Sequence, residues 1–208
     1  FTRQSSAPVG PGEPTAPAAV ATTPLLSYSM TTRRNPKRYP NDKERELAAE
    51  IMFTPGDELR VNITSRQDGH LYIINQGPQP VNGLPSYNVL FPAPSPMPED
   101  AATVRANQTL FLPSERPPWF HVDAIPGTET LWLIWSSEPV AELEKVRKWL
   151  TPVAGGKIKD DAEIKAVKAF LDSQQSAAKP IAEKDEAQVN LKARGKGLLI
   201  YPLRLQHL

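Results

Sequence analysis

The three histidines, His70, His121 and His207, are the first residues to weigh for chemistry. Zinc ligands on one helix need a spacing such as HExxH or HxxxH, and none of the three stands in one. His121 and Asp123 are two apart, so on a regular strand they project to the same face. Such a pair can serve as a base with its orienting carboxylate, or as half a metal site. The plainer reading is a surface pair beside a sheet. Gly155-Gly156 lacks the lysine and serine or threonine of a phosphate-cradling loop, and no GxSxG nucleophile elbow occurs. Asp160, Asp161 and Glu163 lack the spacing of a calcium loop and read as a helix start, where carboxylates face the positive end of the helix dipole. These residues nominate no catalytic group, metal site or cofactor, and the chain reads as a non-enzyme.

Aromatic residues are the remaining handle. Exposed tryptophan faces form the platforms on which sugars and peptides stack. Trp132 and Trp135 fall on opposite faces of one apolar run, and Trp149 falls on the apolar stripe of a helix, so these three read as core. Trp119 lies between Pro117-Pro118 and Phe120. It is the tryptophan expected to be exposed and to line a ligand site.

The elements that position these groups follow from periodicity and turn residues. Leu26, Tyr28 and Met30 alternate with serines, the pattern of a strand with one buried face. Residues 42–50 have a composition that favours a short helix, although only Leu47 and Ile51 offer an apolar stripe. Pro55-Gly56 suits a type II turn, with glycine taking the positive φ. Asp68-Gly69 suits a tight hairpin joining a strand at 58–64 to one at 70–75. Further strands are expected at 87–91, 108–112 and 119–124. Leu131-Trp-Leu-Ile-Trp135 is apolar on both faces and predicts a central strand covered on both sides. Ser137 then predicts a helix cap with Pro139 in the first turn. Val140, Leu143, Val146, Trp149 and Leu150 form one helical face, and Ile164, Val167, Phe170 and Leu171 another. The last strand, about 198–205, carries Pro202, which cannot donate to a ladder, so it is expected at an edge.

The turns and stops of the middle region carry a family resemblance. They run Gly56-Asp57, Gly69-His70-Leu71-Tyr72-Ile73, Leu90-Phe91-Pro92, Leu112-Pro113, and Pro126-Gly127 before Leu131-Trp132-Leu133-Ile134. In order and spacing, over about residues 53–138, the chain resembles the bacterial family of unknown function DUF4384. His70 departs from the aromatic residue usual at its position. The resemblance implies an accessory module of envelope or signalling proteins and no activity.

Bulk composition sets the remaining bounds. With 208 residues the chain can bury one sizeable core, yet 23 prolines and 39% hydrophobic residues are the numbers of a chain that is extended in part. Residues 1–24, rich in Pro and Ala, read as a disordered tether. A net charge of +1 argues against nucleic acid as partner, and the Arg33-Arg34-Asn-Pro-Lys37-Arg38 cluster reads as a solvated loop. Zero cysteines fit a secreted or envelope protein as readily as a cytosolic one. No apolar run approaches the roughly 20 residues of a membrane span, so no membrane insertion by this chain is expected. The start at Phe1 suggests that a signal peptide or anchor was removed upstream. The expected architecture is mainly β with α: an antiparallel β-sandwich-like domain at 25–208 with a two-helix insertion at about 138–175. The expected function is a non-enzymatic accessory or scaffolding module of the bacterial envelope, periplasmic or extracellular, with a protein partner. The alternative is a ligand-binding sandwich for envelope glycan or peptide.

Overall fold

The computed structural model describes residues 23–47, 52–93, 100–114, 119–150, 155–175, 180–193 and 197–208, the side chains of Trp149 and Gln175 excepted. Most of the expected tether, and the placement of Trp149 on a helix face, lie outside these described residues. The first strands are β1 (Leu26–Arg33), β2 (Arg45–Leu47), β3 (Met52–Phe53), β4 (Glu58–Ser65) and β5 (Gly69–Gln76). Next come β6 (Tyr87–Phe91), β7 (Thr103–Val104), β8 (Thr109–Leu112), β9 (Phe120–His121) and β10 (Gly127–Ser136). Helices α1 (Ala141–Trp149) and α2 (Asp161–Gln175) follow, then β11 (Ile181–Lys184), β12 (Val189–Lys192) and β13 (Leu198–His207).

These strands form two sheets. The first runs β11-β12-β1-β4-β8, with β2 beside β1 and β9 beside β4; the second runs β3-β13-β10-β5-β6, with β7 beside β5. All the pairings are antiparallel except β13 with β3. One core lies between the sheets, where Tyr28, Met30, Val61 and Ile63 of the first meet Leu71, Ile73, Leu133 and Leu203 of the second. A second core lies on the outer face of the second sheet, where Tyr72, Ile74 and Ile134 meet Leu143 and Val146 of α1 and Val167 of α2. The strand β10 is thus covered on both faces, and the helices bury their stripes on their own sheet. This is the expected β-sandwich-like domain with helices near its C-terminal part.

The largest departure from the sequence reading is at Asp68-Gly69. No hairpin forms there, because β4 belongs to the first sheet and β5 to the second. The segment is an arch between sheets. Its local groups are held across the fold: Asp68 Oδ1 accepts the Ala106 N–H at 2.7 Å, and Ser65 O accepts the Asn107 N–H at 2.7 Å. The helix favoured at 42–50 is also overturned over its described residues, 42–47, since Arg45–Leu47 pairs with Met30–Thr32 as β2. Two apolar residues make too thin a stripe to hold a helix against that ladder. The strand expected at 119–124 is cut to β9, because Asp123 Oδ1 turns to take the Ile125 N–H at 2.8 Å.

Helix starts split the same way. Ser137 does not cap α1; its N-cap is Val140, which has no side-chain cap and gives its N–H to the Tyr72 hydroxyl at 3.1 Å. That hydroxyl in turn donates to Glu144 Oε1 at 2.8 Å, so β5 itself anchors the helix. Burial, foremost, and the Glu144 charge hold the Tyr72 phenol far above its usual range. For α2 the expectation holds: Asp160 Oδ1 accepts the N–H groups of Ala162 at 2.8 Å and Glu163 at 3.2 Å. The edge expected at β13 holds over most of its length, because β3 meets only Gln206 and His207.

Pro55-Gly56 forms the expected turn, with Gly56 at φ +87° and the Asp57 N–H on Thr54 O at 3.0 Å. Asp57 then becomes a knot. Its carboxylate accepts Asn35 N–H, Thr54 N–H and Thr54 Oγ1–H, each at 2.9 Å, and only 8% of the residue is exposed. Asp57→Ala strands three donors in a nearly dry site and is expected to cost about 2 kcal/mol. Urea denaturation of the two proteins checks this; a loss below about 0.5 kcal/mol would show that water reaches those donors freely.

Candidate functional site

At one end of the sandwich the inward-facing apolar rows of three adjacent strands each finish in a polar side chain. On β5 the row runs Leu71, Ile73, Asn75; on β10 it runs Leu133, Leu131, Glu129; on β13 it runs Leu203, Leu205, His207. Strand alternation directs each of these side chains toward the space between the sheets. The register steps them diagonally across the strands, with Asn75 opposite Leu131, Glu129 opposite Leu205 and His207 opposite Gly127, and all three line one cleft. The chain from Phe120 to Asp123 closes the other side. The result is a cleft of about 180 Å³. Its polar lining is Asn75, His121, Asp123, Glu129 and His207, and its apolar walls include Leu59, Leu90, Phe120, Leu131 and Leu205.

The polar atoms there are unevenly satisfied. Asn75 Nδ2 donates to Glu129 Oε2 at 3.1 Å, which leaves its Oδ1 as the free acceptor. That Oδ1 is buried with no hydrogen-bond partner in the protein, and so is Nδ1 of His207. The His207 side chain is only 4% exposed, and the nearest carboxylate oxygen, Asp123 Oδ1, stands 3.9 Å away, too far for a hydrogen bond. Among the described residues no lysine or arginine lines the cleft.

The sequence candidates fall elsewhere or pair differently. Trp119 is 8% exposed, under the Arg33 guanidinium at 4.7 Å and the Arg60 guanidinium at 5.1 Å from its ring centroid. The exposed aromatic platform is therefore absent at Trp119, because two cations on neighbouring strands cover the ring. His121 does line the cleft, but its Nδ1 meets Glu58 Oε1 at 3.2 Å, and Glu58 is also ion-paired with Arg33. Asp123 lines the cleft beside His207. The pair proposed on one strand face is thus divided between two partners. Of the basic cluster, Arg33 belongs to β1, and Arg34 contacts Asp42 at 3.2 Å and stacks on Tyr39 at 4.3 Å. The backbone N–H of Arg34, followed by its side chain, holds the Asp42 carboxyl below its usual range.

Asn75, Glu129 and His207 carried no sequence signal as a site. Their one legible trait is a polar residue at the end of an apolar row, and Asn75 is where β5's run stops. Among the described residues no three His, Cys, Asp or Glu side chains are grouped to hold a metal ion, and no helix is long and apolar enough to cross a membrane.

Comparison with curated proteins and with solved structures finds no match. Residues 52–139, which carry β3 through β10 and the turns named above, match the model of the family described as Domain of unknown function (DUF4384).

Proposed function

We propose that this chain is a non-enzymatic accessory module of the bacterial cell envelope that acts by binding a protein partner, with the cleft at the open end of the sandwich as the point of contact. One observation carries the reading: His207 and Asn75 line the cleft, and His207 Nδ1 and Asn75 Oδ1 are buried without a partner in the protein. Leaving such a group unsatisfied costs about 1–3 kcal/mol, so an incoming polar group is favoured there. The placement in the envelope rests on the Pro- and Ala-rich residues 1–24 and the resemblance. The alternative, a sandwich that binds envelope glycan or peptide, loses its platform at Trp119 and would use the same cleft.

The test is affinity capture on the immobilised chain, from envelope and cytosolic extracts, with wild type compared with Leu90→Trp. Leu90 is a half-buried wall residue, and the larger ring fills the cleft. The expected result is a protein recovered from the envelope extract and reduced at least tenfold by Leu90→Trp, with thermal melting unchanged. A partner retained equally by the filled variant would remove the cleft from the reading. Recovery from cytosol alone would remove the envelope.

A further inference from the structure

We infer that the group received by the cleft is a primary ammonium on a short apolar stem; this rests on the reading of the cleft as a binding site. The polar lining offers acceptors. Asn75 Oδ1 is an unpartnered acceptor, and the Nδ2 end of the amide is committed to Glu129. His207 Nδ1 offers a lone pair when the ring proton sits on Nε2. Glu129 and Asp123 add two carboxylates, and among the described residues no lysine or arginine lines the cleft to balance them. An ammonium carries three donors, no acceptor and one positive charge. It answers all three features at once. An anion would meet two carboxylates with no lysine or arginine beside them, and an alcohol brings a single donor.

The stem follows from the walls and the size. Leu90, Phe120, Leu131 and Leu205 are apolar, and the volume of about 180 Å³ is comparable to the ~150 Å³ cavity that accepts a benzene-sized guest. A four-carbon chain fits that space. Two sources present this chemistry: the lysine side chain of a partner segment, or a free alkylamine.

The experiment is an NMR titration of the full chain with n-butylamine hydrochloride, 1-butanol and sodium pentanoate. Two short capped peptides are titrated in parallel, one with lysine and one with Nε-acetyl-lysine. The expected result is saturable shifts of the Asn75 side-chain amide and the His207 ring with butylamine. Butanol and pentanoate are at least tenfold weaker, and Glu129→Gln or Asp123→Asn weakens the amine at least tenfold. Tighter binding of the lysine peptide assigns the group to a partner chain, and tighter binding of butylamine assigns it to a free amine; either supports the inference. Butanol binding as well as butylamine, an acetyl-lysine peptide binding as well as the lysine peptide, or indifference to both charge variants would overturn it. Capture separates the two levels. If Leu90→Trp abolishes partner capture while Glu129→Gln and Asp123→Asn leave it intact, the cleft stands and the ammonium falls. If none of the three alters capture, the cleft itself falls.

Discussion

Trp135→Ala is expected to lower the free energy of unfolding by about 3–5 kcal/mol, the range for truncating a buried large aromatic. The side chain lies in the core between the sheets and is 3% exposed. Its Nε1–H donates to Ser65 Oγ at 3.1 Å, so one residue of β10 reaches across the core to the end of β4. Removal leaves a cavity and takes away the donor to a hydroxyl that itself donates to Gln67 O at 2.6 Å. A domain stabilised by about 5–15 kcal/mol loses a large share of its margin in that step. Urea denaturation with a free slope is the measurement. Trp135→Phe keeps most of the apolar surface and forfeits the hydrogen bond, so it is expected to cost about 1–2 kcal/mol. Equal losses for Ala and Phe would show that packing at this position contributes little.

Gly69→Ala is expected to cost about 3 kcal/mol, the upper part of the usual range for overpacking. The cause is contact, not backbone conformation. A Cβ at Gly69 would lie 2.6 Å from Ser136 O and 2.6 Å from the Trp135 ring, and Gly69 is not among the glycines of positive φ. The two explanations make opposite predictions for asparagine. A tight turn with φ > 0 accepts Asn better than Ala; a crowded arch rejects Asn more strongly. Gly69→Asn less stable than Gly69→Ala is the expected order, and the reverse would restore a turn requirement. Pairing Gly69→Ala with Trp135→Phe should give a non-additive cycle of at least about 0.5 kcal/mol, because the substitutions share one contact.

These two residues also show where sequence reading stops. Alternation in Leu26–Met30 and the doubly apolar run Leu131–Trp135 were legible because a period of two and a run buried on both faces are local properties. So were Gly56's turn and the start of α2 at Asp160, which depend on residues within one turn of each other. Asp68-Gly69 was misread for the complementary reason. The dipeptide signals a reversal, and a reversal can join two strands of one sheet or carry the chain between sheets. Here the chain passes between sheets, and Ala106 and Asn107 of a distant loop donate hydrogen bonds to Asp68 and Ser65.

The candidate site divides along the same line. His121 and Asp123 drew attention as a pair, and both reach the cleft, but each is matched to a residue remote in sequence, Glu58 and His207. Trp119 was expected at the surface because prolines flank it; Arg33 and Arg60, brought over it by β1 and β4, bury it. The cleft also crosses the family boundary, with Asn75, Asp123 and Glu129 inside the matched residues 52–139 and His207 outside them.

By itself the sequence determined that this is a mainly β chain with two amphipathic helices, which faces of its strands are apolar, and which turns resemble those of a known family. Those properties reside in spacing over a few residues, where backbone geometry directs each side chain. Tertiary structure alone decided which strands share a sheet, that β13 sets its last inward side chain beside Asp123, and that two residues with buried, unpartnered polar atoms line one cleft. Those outcomes depend on burial of whole faces against one another, which no short window of sequence contains.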